Sequence, residues 1–455
     1  MMRMVISYII LIVGTLLTGS CKNNTDDSFT GTELQLLNIS PQDNETVYPG
    51  NMVVTFSFNT DVWILDKNKI TVNGETTNNL KATNKEIVIS LNTVSNTDYE
   101  IMLAAGAIKT HDGFVSREDY TVNFKCVEHE ALALSKEATN LYNFLKENYG
   151  KKVLSGTMAN VSLNQNEAQW VYSKTGKYPA INCIDYIHLY ASSTGSWIDY
   201  SQIDFLENWW NNNGIVAAMW HWNMLANNGV DYSCTPGQGA KETSFDVSKI
   251  NDESSEEYAI MMRDIDKVAD YLLLLKNKNI PVIWRPLHEA GGSWFWWGTD
   301  RQACIKLWQI MYNRFKEKGL NNLIWVWTLA IKYNEEIPDG FSWYPGDDYV
   351  DIIGYDMYNV SDIAKTNDIF QQLTNEWPNK LITLSECGNI PDIGSQWSAG
   401  AKWSWFVTWY DYNRTNDPTS SEFNKDEHEH ANADWWRTAM QNENVITRDK
   451  MPSLK

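Results

Sequence analysis

Two glutamates, Glu289 and Glu386, close two stretches that share one layout. IPVIWRPLHE, Ile280 to Glu289, and KLITLSE, Lys380 to Glu386, are largely apolar, strand-like runs, and each then runs into glycine. Behind Glu289 comes AGGSWFWWG, with Gly291, Gly292 and Gly298 among the tryptophans Trp294, Trp296 and Trp297. Two carboxylates at the mouth of one sheet, beside flat aromatic rings, are the minimum equipment for cutting a glycosidic bond. One carboxylic acid protonates the departing oxygen, and the other, as carboxylate, attacks the anomeric carbon or activates water. A gap of roughly 5 Å between them favours attack and retained configuration. One strand-end glutamate is more often a helix cap or an ion-pair partner; two on separate strands, with aromatics beside them, point to catalysis.

Such groups need strands to hold them. Beyond Glu128 the pattern alternates strand with helix, and eight strand-like runs can be counted: KVLSG from Lys152, PAINCIDY from Pro179, GIVAAMWHW from Gly214, IPVIWRPLHE, NLIWVWTL from Asn322, VDIIGYDMY from Val350, KLITLSE, and WSWFVTWY from Trp403. Helical periodicity is clearest in EEYAIMMRDIDKVADYLLLLK from Glu256 and RQACIKLWQIMYNRFKEK from Arg301. Eight alternations predict a closed (β/α)8 TIM barrel over 128–455. An open doubly wound sheet is the alternative, but it usually carries a glycine-rich phosphate loop, and the chain has none. In this count Glu289 ends the fourth strand and Glu386 the seventh, across the barrel mouth from each other. Alternation along a strand gives Arg285, Leu287 and Glu289 one parity, and Ile382, Leu384 and Glu386 another shared one. Arg285 is then expected to point inward below one of the glutamates.

Residues 33–127 read differently. Short alternating strands, MVVTFSF from Met52, EIVISL from Glu86, YEIMLA from Tyr99 and YTVNFK from Tyr120, are separated by turns such as Asn73-Gly74 and Asp112-Gly113. This predicts a small all-β sandwich, and NISPQDNETVYPGNMVVTFSFNTDV resembles the opening of bacterial immunoglobulin-like domains. A spacer is the preferred role, with glycan binding as the other. Residues 1–20 look like a targeting segment: Arg3, then the apolar stretch Val5 to Leu17, too short to span a bilayer. LTGSC, Leu17 to Cys21, resembles a bacterial lipoprotein cleavage box, which implies lipidation of Cys21, a polar linker over 21–32, and an outer-membrane address on the surface or periplasmic face. An ordinary secretory signal is the competing reading. Asp26 and Asp27 resemble the acidic export signals of some surface lipoproteins.

The formal net charge of -20 disfavours nucleic acid and anionic lipid as partners, whereas a neutral polysaccharide does not feel it. The 22 Trp and 22 Tyr exceed what packing usually recruits, and stacking on sugar rings is one use for them. With Cys21 set aside, Cys126, Cys183, Cys234, Cys304 and Cys387 form no disulfide framework or metal pattern and read as buried small hydrophobes. A metal hydrolase built on His221, His288 and Glu289 is disfavoured, because neighbouring strand residues face opposite ways and no third ligand has a characteristic spacing. DEHEH, Asp426 to His430, is expected to be solvated loop. No cofactor is expected.

WRPLHE followed by AGGSWFWWG resembles the acid/base motif of glycoside hydrolase family 26, whose commonest members are β-mannanases. His288 before Glu289 is the distinguishing detail, since most related barrels carry Asn-Glu there. The resemblance spans 128–455. It implies Glu289 as general acid/base and Glu386, in TLSECG, as nucleophile. It implies His221, in MWHW, lining the glycone subsite, and His288 binding sugar or orienting its neighbour. Trp294 matches the family's aromatic sugar platform. Asp356 and Tyr358, in GYDMY, resemble the family's Asp-x-Tyr, whose tyrosine hydrogen-bonds the nucleophile. Trp409 matches the tryptophan flooring the central subsite. For the histidines and Trp409 the competing roles are a satisfied core histidine, an outer hydrogen bond and core packing. The long loop Asn223 to Ser255 offers Tyr232 and Phe245 as further aromatics without a choice between them. The implied activity is retaining hydrolysis of β-1,4-mannosidic linkages in mannan, galactomannan or glucomannan. Alternatives are a β-1,3-xylanase or mixed-linkage glucanase of the same family, and a non-catalytic surface glycan-binding lipoprotein.

Overall fold

The computed structural model describes residues 33–47, 50–127, 133–161, 163–191, 198–329, 340–411 and 417–455. The expected leader, the linker and Cys21 lie outside the described residues.

Eight parallel strands form one closed sheet: β1 (Val153–Met158), β2 (Ile181–Asp185), β3 (Ile215–Trp220), β4 (Val282–Pro286), β5 (Leu323–Leu329), β6 (Ile352–Tyr358), β7 (Leu381–Gly388) and β8 (Trp405–Thr408). They neighbour one another in chain order, and β1 pairs with both β2 and β8, which closes the barrel. Each falls on one of the eight expected runs. Every residue of β1, β3 and β5 is buried, because helices cover the outer face while side chains fill the inside. Burial on both faces is why these strands read as continuous apolar runs rather than alternating ones.

The two expected helices are Glu256–Asn277 and Arg301–Glu317. Each starts at a side-chain cap: Ser255 accepts the Tyr258 N–H, and Asp300 accepts the Ala303 N–H. The first buries Met261, Ile265, Val268, Leu272 and Leu275; the second buries Leu307, Trp308, Met311 and Phe315. These positions recur at helical spacing, and each large side chain removed from water contributes about 1.5–3 kcal/mol.

The N-terminal region forms small all-β sheets of four, five and two strands. The expected strands fall on Gly50–Phe58, Glu86–Thr93, Thr97–Leu103 and Tyr120–Cys126, with only Ala104 beyond the end of the third. In the last, Tyr120, Val122, Phe124 and Cys126 are buried while Asn123 and Lys125 between them are exposed. Asn73 and Gly74 both take left-handed φ, 50° and 79°, and turn Ile70–Val72 back onto Glu75–Thr76.

Two expectations about strand geometry need correction. β4 ends at Pro286, so Glu289 lies beyond the strand rather than on it. In β7 alternation is broken: Tyr355 pairs with Leu384, but Asp356 pairs with Glu386, which makes Ser385 an extra residue. Ser385 Oγ accepts from Thr328 inside the barrel, yet Glu386 also reaches the interior, to Arg285. Glu386 therefore does not share the facing of Ile382 and Leu384. Gly354 makes room for the bulge, since a Cβ there would lie 1.8 Å from Ser385 Oγ.

Candidate active site

Arg285, on β4, is the hub of the barrel mouth. Its Nη2 donates to Glu386 Oε1 and its Nη1 donates to Asp356 Oδ2 at 3.0 Å. All three side chains are nearly excluded from solvent. Burial opposes the charge on Arg285, but Asp356 and Glu386 outweigh it and hold the guanidinium charged. The other oxygen of Glu386 accepts from the Tyr358 hydroxyl at 2.8 Å. Asp356 and Tyr358 share parity at the end of β6, as expected, and Arg285 does point inward, below Glu386. A carboxylate held by a guanidinium on one oxygen and a phenol on the other is fixed in direction and presented as an acceptor.

Glu289 is held by other means. Leu287 and Glu289 have φ of 44° and 53°, left-handed values that cost non-glycine residues about 1–3 kcal/mol each. Pairing with β5 resumes at Ala290, opposite Leu329, so the chain makes a short excursion from the sheet between Pro286 and Ala290. That excursion leaves Leu287, His288 and Glu289 outside the sheet, so strand alternation does not set their facing. His288 Nε2 reaches His221 Nε2 at 3.2 Å, while the Glu289 carboxylate accepts from Trp294 Nε1. Burial, and next the charge of Glu386, push the Glu289 carboxyl up to about 7, against the Trp294 hydrogen bond that favours its charged form. The two glutamates thus feel each other across the mouth.

Beside them stand two histidines with opposite tendencies. His221, just past β3, makes contact with Asp185 through Nδ1 at 2.6 Å, and its backbone N–H donates to the same carboxylate. Burial works against its charge, but Asp185 prevails and raises its pKa. Burial, then the neighbouring His221, drive His288 well below its ordinary range. The opposed shifts favour His221 as the donor and His288 as the acceptor in the contact between their Nε2 atoms. Phe295 packs its edge on His221 and lies 4.9 Å from the His288 ring, and Trp409, immediately after β8, packs edge-on against His221 at 5.8 Å. Trp297 Nε1 donates to the His288 carbonyl and Trp296 Nε1 to that of Trp222; both rings are fully buried and pack the loop. Trp294, in contrast, is 38% exposed and offers a face to a ligand.

The structure therefore brings together Glu289, Glu386, His221, His288, Trp294, Asp356, Tyr358 and Trp409. Asp185 and Phe295 were missed. An acid ending the buried strand INCID of β2 was a readable signal for the first; nothing in sequence set Phe295 apart from its tryptophan neighbours. In the loop after β3, Phe245 packs on Trp296, while Tyr232 is 46% exposed and stacks on Tyr190 at 4.3 Å. The expectation that DEHEH is solvated fails in part. Asp426 is exposed, but the His428 ring is buried against Glu167, with Nε2 3.1 Å from its carboxylate. The cysteines are as expected: Cys126, Cys183, Cys304 and Cys387 are buried and unbridged, and Cys234 is half-buried.

The chain is 34% identical over 327 residues to mannan endo-1,4-beta-mannosidase B of Piromyces sp, covering 70% of this chain and 52% of the relative. The chain spans about half the length of the curated relatives it matches first. Among solved structures, the GH26 domain of an endo-beta-mannanase/endo-beta-glucanase from Prevotella bryantii is 35% identical, with a TM-score of 0.61 over 70% of this chain and 97% of that one. A beta-mannanase from a symbiotic protist of the termite Reticulitermes speratus, complexed with gluco-manno-oligosaccharide, is 31% identical, with a TM-score of 0.59 over 71% of this chain and 100% of the other. The family model of glycosyl hydrolase family 26 matches residues 131–438. With a closed barrel carrying a glutamate beyond β4 and another on β7, and a match running over most of its length, the chain belongs to glycosyl hydrolase family 26.

Proposed function

We propose that this protein is a retaining β-mannanase that cleaves β-1,4-mannosidic linkages by double displacement. The observation that carries the reading is the contrast between the glutamates: Glu386 is gripped by Arg285 and Tyr358, whereas the Glu289 carboxyl is pushed up to about 7. Glu289 protonates the departing glycosidic oxygen while Glu386 attacks the anomeric carbon and forms a covalent glycosyl ester. Glu289, now ionised, takes a proton from water as the water attacks the same carbon, and Glu386 leaves as a carboxylate. Asp356 holds the other arm of Arg285 and so directs the guanidinium at the nucleophile. His221 and His288 line the glycone side, with Asp185 holding the His221 ring in place and raising its pKa. Trp294 and Trp409 supply flat apolar faces to the sugar rings. The mannan assignment is supported by the activities of the relatives and by the gluco-manno-oligosaccharide bound to the termite-symbiont enzyme.

In the same reading the chain is a lipoprotein anchored at Cys21 in an outer membrane, and residues 33–127 are an immunoglobulin-like spacer between anchor and barrel. Its formal charge of -20 does not hinder a neutral polysaccharide.

The test is reducing-sugar release by the purified protein from unsubstituted mannan and from galactomannan, with Glu289→Gln as the paired control. Release of manno-oligosaccharides by the wild type, lost in the variant, is the expected result. Activity confined to xylan or mixed-linkage glucan refutes the mannan assignment, and binding without cleavage of any β-glycan refutes the enzymatic one.

A further inference from the structure

The segment Asp426 to His430 has no role in the chemistry above, yet its end lies against the nucleophile's support. The His430 ring packs edge-to-face on Tyr358 at 5.7 Å between centroids. Tyr358 is the residue whose hydroxyl holds Glu386. The contact runs past Gly388, which follows Glu386 and Cys387 on β7. A Cβ at Gly388 would lie 2.6 Å from His430 Nδ1 and 2.9 Å from Tyr358 Cδ1, so any side chain there forces one of the rings away.

The segment is pinned from both directions. The His430 carbonyl accepts the Asn389 N–H at 2.7 Å, tying it to the end of β7. Its own N–H, and that of Ala431, donate to His428 Nδ1, each at 3.0 Å. His428 then faces Glu167 through Nε2 and packs on Trp170, both on the helix Asn166–Thr175 that follows β1. Because Nδ1 accepts two backbone protons, the ring proton sits on Nε2, where it is directed at Glu167. The Asn359 N–H donates to the Gly388 carbonyl and locks the ends of β6 and β7 together beneath the rings.

From this arrangement we propose that His430 is a positioning residue for the nucleophile: through the gap at Gly388 it fixes the Tyr358 ring, and so the hydroxyl that Tyr358 donates to Glu386. The Glu167–His428 pair holds His430 in place. The proposal rests on the reading of Glu386 as nucleophile. Exposed acids flanking a buried imidazole explain why the segment looks like surface and acts from inside.

The experiment is a double-mutant cycle in the full-length protein, run on the β-glycan that the wild type cleaves fastest. His430→Ala is expected to lower kcat by about 5–20-fold with KM within about twofold, because the contact acts on Glu386 rather than on sugar binding. In a Tyr358→Phe background, where there is no hydroxyl left to position, the same change is expected to cost less than about twofold. Gly388→Ala is expected to reproduce the kcat loss. Equal losses in both backgrounds, or a change in KM alone, overturn the proposal while leaving the catalytic reading intact. If His430→Ala does not fold, His430→Phe keeps an aromatic edge on Tyr358 and is expected within about threefold of the wild-type kcat. A loss as large as that of Tyr358→Phe then overturns the proposal. A wild type that cleaves no β-glycan removes the catalytic reading and this one together.

Discussion

The ends of β4 and β7 look alike in sequence and behave differently in the fold. Each is an apolar run closed by glutamate and followed by glycine. At β7 the glutamate stays in the sheet, displaced onto the interior by a bulge at Ser385, and meets a guanidinium and a phenol. At β4 the strand stops first, two left-handed residues carry the chain outward, and the glutamate meets one indole N–H in a site that burial makes hostile to its charge. The lesson is that identical side chains acquire separate roles from donors and solvent, as general acid/base chemistry requires.

That contrast can be broken from either side. Glu386→Ala removes the attacking group, and turnover should fall on the order of 10⁴-fold or more in steady-state assays while glycan binding survives. A near-normal rate removes Glu386 from the nucleophile role.

Glu289→Gln should cost about 10²–10⁴-fold on natural substrates, because the leaving sugar then departs unprotonated. It also carries a stability signature. The folded state favours protonated Glu289, so the stabilising contribution is present below the ordinary glutamate range and is lost as pH rises through about 7. The unfolding midpoint of Glu289→Gln should therefore gain on wild type between pH 5 and pH 8; a gap that does not widen contradicts the raised carboxyl.

Tyr358→Phe sharpens the comparison, since it strips one donor from Glu386 and leaves Glu289 untouched. Loss of one hydrogen bond to a charged group costs about 1.5–3 kcal/mol, so kcat should fall about 10–10²-fold with KM little changed.

The smallest effect is expected at Trp294. For wild type, kcat/KM should decline above about pH 7, as free-enzyme Glu289 loses its proton. Because the Trp294 N–H favours the charged carboxylate, Trp294→Phe should move that alkaline limb to higher pH. A shift to lower pH reverses the sign assigned to this hydrogen bond.

The barrel was readable because its strands are buried on both faces and its helices carry side-chain caps and apolar stripes, all local properties of the chain. So were the two glutamates, and the shared parity of Asp356 and Tyr358 on a regular strand. Parity failed at Glu289 and Glu386 for one reason in two forms: a left-handed excursion and a one-residue bulge each reset the facing of side chains without a mark in the apolar pattern. The aromatics of the loop after β3 were likewise indistinct in sequence, where packing alone sends Phe245 inward and leaves Tyr232 at the surface.

Sequence by itself determined the eight-strand repeat, the carboxylate pair and the tryptophan-rich setting, since hydrophobic period and residue type are written along the chain. Tertiary structure decided which glutamate is gripped by Arg285, that Asp185 raises the His221 pKa, and that the segment Asp426 to His430 brings His430 to Tyr358. Those are contacts between residues far apart in the chain, and pKa and side-chain direction depend on what surrounds a group in space rather than on what precedes it.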